Sequence, residues 1–159
     1  MRVRILCVGH LKEAYWKAAE EEYLKRLSPY ANVTIDEVDD LPSKENASLA
    51  MEEEVKTKEG DKILTKLKPN DFVCTLDLGK EEPDSIALAN KMMTMFTRGG
   101  SFITFIIGGS LGLSQALKKR ANASLSLSRL TFTHQMTRII LLEQIYRSFK
   151  ILNHEPYHK

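Results

Sequence analysis

The sequence predicts an α/β fold, a single-domain α/β/α sandwich with a mostly parallel sheet and helices on both faces. Two observations carry this. Short apolar runs bounded by glycine, proline or asparagine alternate with longer segments of helical spacing along the whole chain. Several of the short runs are apolar at nearly every position, as in FVCTL (72–76) and FITFII (102–107), the pattern of strands buried on both faces of a parallel sheet.

The elements follow in order. Val3–Gly9 reads as a buried strand ending in glycine. Glu13–Leu27 has helical spacing that puts Tyr15, Ala18, Ala19, Tyr23 and Leu27 near one face. Ser28-Pro29 ends that helix, because proline cannot extend it and disfavours helical geometry in the residue before. Val33–Val38 alternates like a half-buried strand, and Leu41-Pro42-Ser43 is a loop. Ser48–Leu67 is a charged amphipathic helix despite Gly60. Pro69-Asn70-Asp71 is turn chemistry leading into the strand Phe72–Leu78. Ser85–Phe96 is helical, Arg98-Gly99-Gly100 breaks it, and Ser101–Ile107 is the most apolar strand. A short helix Ser114–Ala121, a short strand Ser124–Ser128 and a long helix Thr133–Leu152 complete the chain. No internal repeat or interdomain linker is visible in the 159 residues, so one domain spanning 1–159 is expected.

Composition narrows the function. Hydrophobic residues make up 43% and charged residues 28%, a globular balance. The apolar runs are too short to span a bilayer, and MRVRILCVGHLKE lacks the features of a signal peptide, so a cytoplasmic location is expected. Cys7 and Cys74 each lie in an apolar run without a second ligand at metal spacing, so they read as buried hydrophobes and no metal is expected. The net charge of +2 says little, but its distribution says more. Between Asp36 and Asp61 ten acidic residues face three lysines, whereas from His134 onward four Lys/Arg and three of the four histidines face two glutamates. An anionic polymer would therefore meet the C-terminal part and avoid the acidic stretch.

In such a sheet, ligands bind in loops beyond the carboxyl ends of the strands, here those after Gly9, Leu78, Ile107 and Ser128. The loop Ile107-Gly108-Gly109-Ser110-Leu111-Gly112-Leu113 follows the most apolar strand and precedes a helix, so it is either a tight turn or a place where backbone approaches a ligand. It lacks both the dinucleotide-binding G-x-G-x-x-G spacing and the Gly-Lys-Ser/Thr of a P-loop. A nucleotide-like cofactor without a polyphosphate remains, and S-adenosylmethionine answers that description.

Five segments occur in one order: IGGSLGL (107–113), LSLSRLT (125–131), His134-Gln135-Met136 with Arg138, Glu143-Gln144-Ile145-Tyr146-Arg147, and the ending His154-Glu155-Pro156-Tyr157-His158-Lys159. Together they resemble the bacterial ribosomal large-subunit methyltransferase H family, one of the SPOUT (knotted) methyltransferases. The resemblance covers the chain from first strand to last residue, with its specific part after Phe102. It implies a C-terminal trefoil knot, a homodimer, S-adenosylmethionine as cofactor, and methylation of N3 of a pseudouridine in a stem-loop of 23S rRNA on the assembled ribosome. It places the cofactor against Leu76, Gly108, Gly109 and the loop Leu127, Ser128, Arg129, Leu130, Thr131, Phe132.

His134, Arg138, Arg147, Tyr157 and His158 are the polar candidates for target binding or proton removal. Arg147 either contacts RNA or pairs with Glu143 one turn away. His134 is either catalytic or an ordinary helix-start residue, and Tyr157 and His158 either frayed tail or a surface on which a base stacks. Deleting Glu155–Lys159 is expected to remove methylation and spare cofactor affinity. The apolar stripe Met136, Ile139, Ile140, Leu142, Ile145, Tyr146 and Phe149 is wider than a lone surface helix needs; it is either plain core packing against the sheet or, in part, the expected dimer interface. The chain departs from the family pattern in three ways. Thr133 replaces a proline, a change expected to loosen the start of the last helix; His10 replaces a lysine; and one residue is missing between Leu78 and Gly79. Lys80 is accordingly given no role. Two alternatives stand beside this reading: a SPOUT enzyme acting on another RNA such as tRNA, against which the absence of an added RNA-binding domain argues, and a non-catalytic ribosome-binding factor, against which the intact cofactor loop argues.

Overall fold

The computed structural model describes residues Met1–Lys159. Five strands, β1 (Arg2–Val8), β2 (Asn32–Val38), β3 (Val73–Leu76), β4 (Phe102–Ile107) and β5 (Ala123–Leu125), form one sheet in the order β2-β1-β4-β3-β5 with every neighbouring pair parallel. Five helices connect them: α1 (Ala14–Leu27), α2 (Leu49–Leu64), α3 (Ser85–Arg98), α4 (Gln115–Arg120) and α5 (His134–Leu152).

The period of two along each strand divides the core. Val3, Ile5 and Cys7 of β1, Cys74 of β3, and Ile103, Phe105 and Ile107 of β4 pack under α1, α3 and α5, against Leu27, Met92, Phe96, Leu142, Ile145 and Phe149. The alternate residues Leu6, Val8, Val73 and Ile106 pack under α2 and α4, against Ile63, Leu113 and Leu117. This is the expected sandwich. No helix is long and apolar enough to cross a membrane.

Boundaries differ from expectation where backbone hydrogen bonding stops before the apolar pattern does. The second helix ends at Leu64 rather than Leu67, the third strand runs only Val73–Leu76, and the fifth only Ala123–Leu125. Tyr15 and Ala18 were expected on the buried face of α1 but are exposed, Tyr15 at 65%, because the helix packs into the core further along, at Tyr23, Leu24 and Leu27, with Glu20 bonded to Arg138. The chain turns after α3 through Gly100 at φ +59°, and the close return requires glycine at 99, where a Cβ would lie 2.3 Å from the carbonyl oxygen of Phe102. Thr133 does not loosen the start of α5. Its hydroxyl accepts from the backbone N–H of Met136 at 3.3 Å, an N-cap that the usual proline cannot supply.

Candidate functional site

Sheet register creates the site. Leu76 pairs with Ile107 on one side and Leu125 on the other, so β3, β4 and β5 end at one level and release their loops together. Between these loops and the start of α5 lies a cleft of about 680 Å³, a volume suited to a cofactor-sized ligand. Leu76, Gly108, Gly109, Leu127, Ser128, Leu130, Thr131 and Phe132 all line it, together with His134. Arg129 is exposed and is not among the lining residues, although Ser128 and Leu130 on either side of it are.

The glycine loop is held from behind. A Cβ at Gly108 would meet the Gly112 carbonyl oxygen and Leu113 at 3.0 Å, and one at Gly109 would lie 2.9 Å from Oε1 of Glu59. Glu59 is buried, and its Oε2 accepts from the backbone N–H of Leu41 at 2.9 Å. Burial raises its carboxyl above the usual range, against the lowering effect of that hydrogen bond. The facing loop is stiffened by short-range bonds: Ser126 Oγ donates to the Ser128 carbonyl at 2.7 Å, and Leu130 N donates to Ser128 Oγ at 3.0 Å. Leu130 remains 70% exposed, an apolar wall for a bound ring.

The charge of the lining is informative. It contains no lysine or arginine; Asp77 is its single carboxylate and His134 its single imidazole. The lining itself presents no cation to a polyphosphate, and the charge of Asp77 is already shared with Lys118, whose Nζ lies 3.4 Å from its Oδ2. Cys7 and Cys74 are buried in the core, and burial pushes both thiols up to about 12, so neither is a nucleophile.

Arg138, proposed from sequence as a polar candidate, is instead fully buried. Its Nη1 donates to Glu37 at 2.5 Å and to Glu20 at 3.1 Å, and its Nη2 to the Gly9 carbonyl at 3.2 Å. It therefore ties the first turns of α5 to α1, to β2 and to the end of β1. Glu37 also accepts from His10 Nδ1 at 2.6 Å, while His10 Nε2 donates to Asp39 at 2.6 Å. Burial would raise the Glu37 carboxyl, but the bonds from Arg138 and His10 outweigh it and hold the group below its ordinary value.

With carboxylates on both ring nitrogens, His10 is held protonated, and its pKa is raised above 6.5, first by the bond to Asp39 and then by that to Glu37. A raised folded-state value means the clasp stabilises fully below the ordinary histidine value and is lost as pH rises through the raised one. The depressed carboxylates set the lower limit, near their ordinary values of about 4. The difference in melting temperature between the wild type and His10→Gln is therefore expected to shrink from pH 6 to pH 9. His10→Lys, a permanent cation over that range, should show no such trend, and a wild-type difference that stays constant would contradict the clasp.

Arg147, Tyr157 and His158 form a separate cluster. The Arg147 guanidinium lies 4.7 Å over the Tyr157 ring, with Nη1 3.4 Å from His158 Nδ1 and Nε donating to Glu143 at 3.1 Å. The reading of Arg147 as a pair with Glu143 one turn back holds, and the same guanidinium also contacts the tail at Tyr157 and His158. The tail is not frayed. Glu155 accepts from Tyr30 at 2.6 Å and from Lys150 at 2.5 Å, and Tyr157 donates to Glu143 at 3.1 Å. Burial pushes the Tyr157 hydroxyl up to about 12, helped by Glu143, so it stays protonated. This cluster is not in the cleft lining. Arg147 follows His134 by thirteen positions on one continuous helix, which sets them about 20 Å apart along the axis.

Glu20, Glu37, Glu59 and Asp77 were not anticipated. Nothing local distinguishes Glu59 from its acidic neighbours or Glu37 within a strand; only the fold gives them partners.

A parallel α/β sandwich whose glycine loop and last helix enclose a cleft beyond the strand ends has the layout of a small-ligand-binding domain. Residues 1–158 match the family model described as "Predicted SPOUT methyltransferase". Across its whole length the chain is 52% identical to the ribosomal RNA large subunit methyltransferase H of Desulforamulus reducens, covering 99% of that protein. It is 50% identical over full length to the proteins of the same name from Carboxydothermus hydrogenoformans and Clostridium tetani. The chain belongs to the SPOUT methyltransferases and, within them, to the ribosomal large-subunit methyltransferase H family.

Proposed function

We propose that the chain is a cytoplasmic, single-domain, S-adenosylmethionine-dependent methyltransferase that modifies N3 of a pseudouridine in 23S rRNA on the ribosome and acts as a knotted homodimer. The relatives' names supply the RNA class, and the resemblance supplies the base and its position. The observation that carries the cofactor assignment is the cleft itself, with apolar walls, close-approach glycines and no basic residue.

The residues present fit S-adenosylmethionine. Gly108, Gly109, Leu76 and the loop Leu127–Phe132 would hold it, with backbone groups reading the adenine edge and Leu127, Leu130 and Phe132 enclosing its faces. When bound, it supplies a methyl group activated on a cationic sulfur. What remains for the protein is to align the target nitrogen, exclude water and favour loss of the N3 proton. His134 stands in the cleft for that task. Arg147, Tyr157 and His158 are suited to hold RNA, by guanidinium contact with phosphate and by stacking.

Dimerisation joins the two groups. Each chain's tail cluster lies far along α5 from its own cleft, and Met136 is 40% exposed on that helix with Ile139 and Ile140 only partly covered. A partner packed on this apolar face would bring its tail to the opposite cleft.

Calorimetric titration with S-adenosylmethionine tests the cofactor assignment, with ATP as a control of similar base and sugar. Saturable binding of the first and none of the second is expected. ATP binding, or no binding by folded protein, would remove the basis of the proposal.

A further inference from the structure

We propose that His134 meets the target base as a neutral, Nε2-protonated imidazole, donating a hydrogen bond to a carbonyl oxygen beside N3 rather than accepting the N3 proton. This rests on the function proposed above and assigns His134 its part in it.

The argument begins at the buried side of the ring. Nδ1 of His134 is buried and has no hydrogen-bond partner. A proton placed there would be an orphaned donor, costing about 1–3 kcal/mol. One turn further along α5, Nε of Arg138 is also buried without a partner. Side chains in a helix lean toward its N-terminus, so Arg138 leans toward His134. The guanidinium is fixed there by Glu20, Glu37 and the Gly9 carbonyl. A proton on Nδ1 would add a second unpartnered buried N–H to that of Arg138 Nε, whereas a bare lone pair adds none.

The remaining surroundings act in the same direction. Glu13, Glu37 and Asp40 favour the charged imidazolium, but burial and then Arg138 outweigh them and lower the histidine below 6.5. His134 is also the first residue of α5, where the helix dipole disfavours a cation. Gly9 completes the seat: its φ is +99°, and a Cβ there would lie 2.8 Å from Cε1 of His134. Such a Cβ would lie 3.2 Å from either ring nitrogen and does not separate them; burial does, since Nδ1 is enclosed without a partner and Nε2 is the nitrogen left to a residue that lines the cleft.

The consequence is chemical. When N3 of the imide loses its proton to solvent, negative charge spreads onto the two flanking carbonyl oxygens. A preset neutral donor in a partly desolvated cleft stabilises that charge as it develops. To serve as a base, Nε2 would have to be bare, which would force the proton onto the buried Nδ1.

Nitrogen-15 spectra of histidine-labelled protein test the tautomer, with His134→Gln identifying the signal. The Nε2–H pattern is expected at pH 7 to 9 with protonation only below the ordinary histidine range; an Nδ1–H pattern or an imidazolium at pH 7 would overturn the proposal. Activity gives a second readout. Glutamine can donate from about the position of Nε2 but cannot take the proton. His134→Gln should keep methyl transfer within about tenfold of wild type, while His134→Ala loses about 100-fold or more. Glutamine and alanine variants equally impaired, with cofactor binding intact in both, would identify His134 as the base instead. If the wild type transfers no methyl group, it is the proposed function that fails, and the spectra still decide the tautomer.

Discussion

Chains ending at Pro156 are expected to lose methyl transfer by about 100-fold or more, the effect of removing groups that hold and position the target, while binding S-adenosylmethionine as the full chain does. The truncation keeps Glu155, whose bonds to Tyr30 and Lys150 anchor the tail to the body, and removes Tyr157 and His158 from the Arg147 cluster. Cofactor affinity is preserved because none of these residues lines the cleft. Mixed dimers separate the two ways in which the tail could act. A truncated chain has a sound cleft, whereas Gly108→Val, which forces a branched side chain against Gly112 and Leu113, has a sound tail. Co-assembled, the two inactive chains should recover activity through the one composite site. A mixture of confirmed heterodimers that stays inactive would show that each tail serves its own cleft.

Replacement of Arg138 by methionine is expected to cost about 3 kcal/mol of stability, the lower end for breaking a buried charge pair, because Glu20 and Glu37 retain some access to water. For a chain of this length that corresponds to a fall in melting temperature of roughly 6–12 °C. Loss of the guanidinium leaves two carboxylates facing each other and the Gly9 carbonyl without its donor. It also frees the start of α5, so methyl transfer should fall at temperatures where the variant is still folded. Thermal melts at pH 7 check the stability term; a shift under 2 °C would mean that Arg138 is not the tie it appears in the geometry.

Much of this architecture was legible in the residues. Buried strands such as Phe102–Ile107 declare themselves by continuous apolarity, and α5 by its long stripe. The cleft was legible in part: the rule that ligands sit beyond strand ends pointed to the loops after Gly9, Leu78, Ile107 and Ser128, of which the last three border the cleft and the first does not, and the resemblance named Leu127–Phe132 within it. The sheet order was not legible, since periodicity does not say which strands become neighbours. Arg138 was misjudged for the same reason: an arginine on a helix carries no local mark of the two glutamates that bury it, one from α1 and one from β2. Tyr15 shows the converse, a residue at helical spacing that the neighbouring elements do not reach. Arg147 could be read either as a pair with Glu143 or as part of an RNA surface; the structure shows the pair and the tail cluster, and leaves the partner's cleft as their proposed destination.

The most direct test of the central claim is labelled methyl transfer from S-adenosylmethionine to ribosomes lacking the modification, followed by nucleoside analysis of the 23S rRNA. Label recovered as N3-methylpseudouridine from one stem-loop is the expected result. Label in another nucleoside, or none from a folded protein that binds the cofactor, would contradict the account.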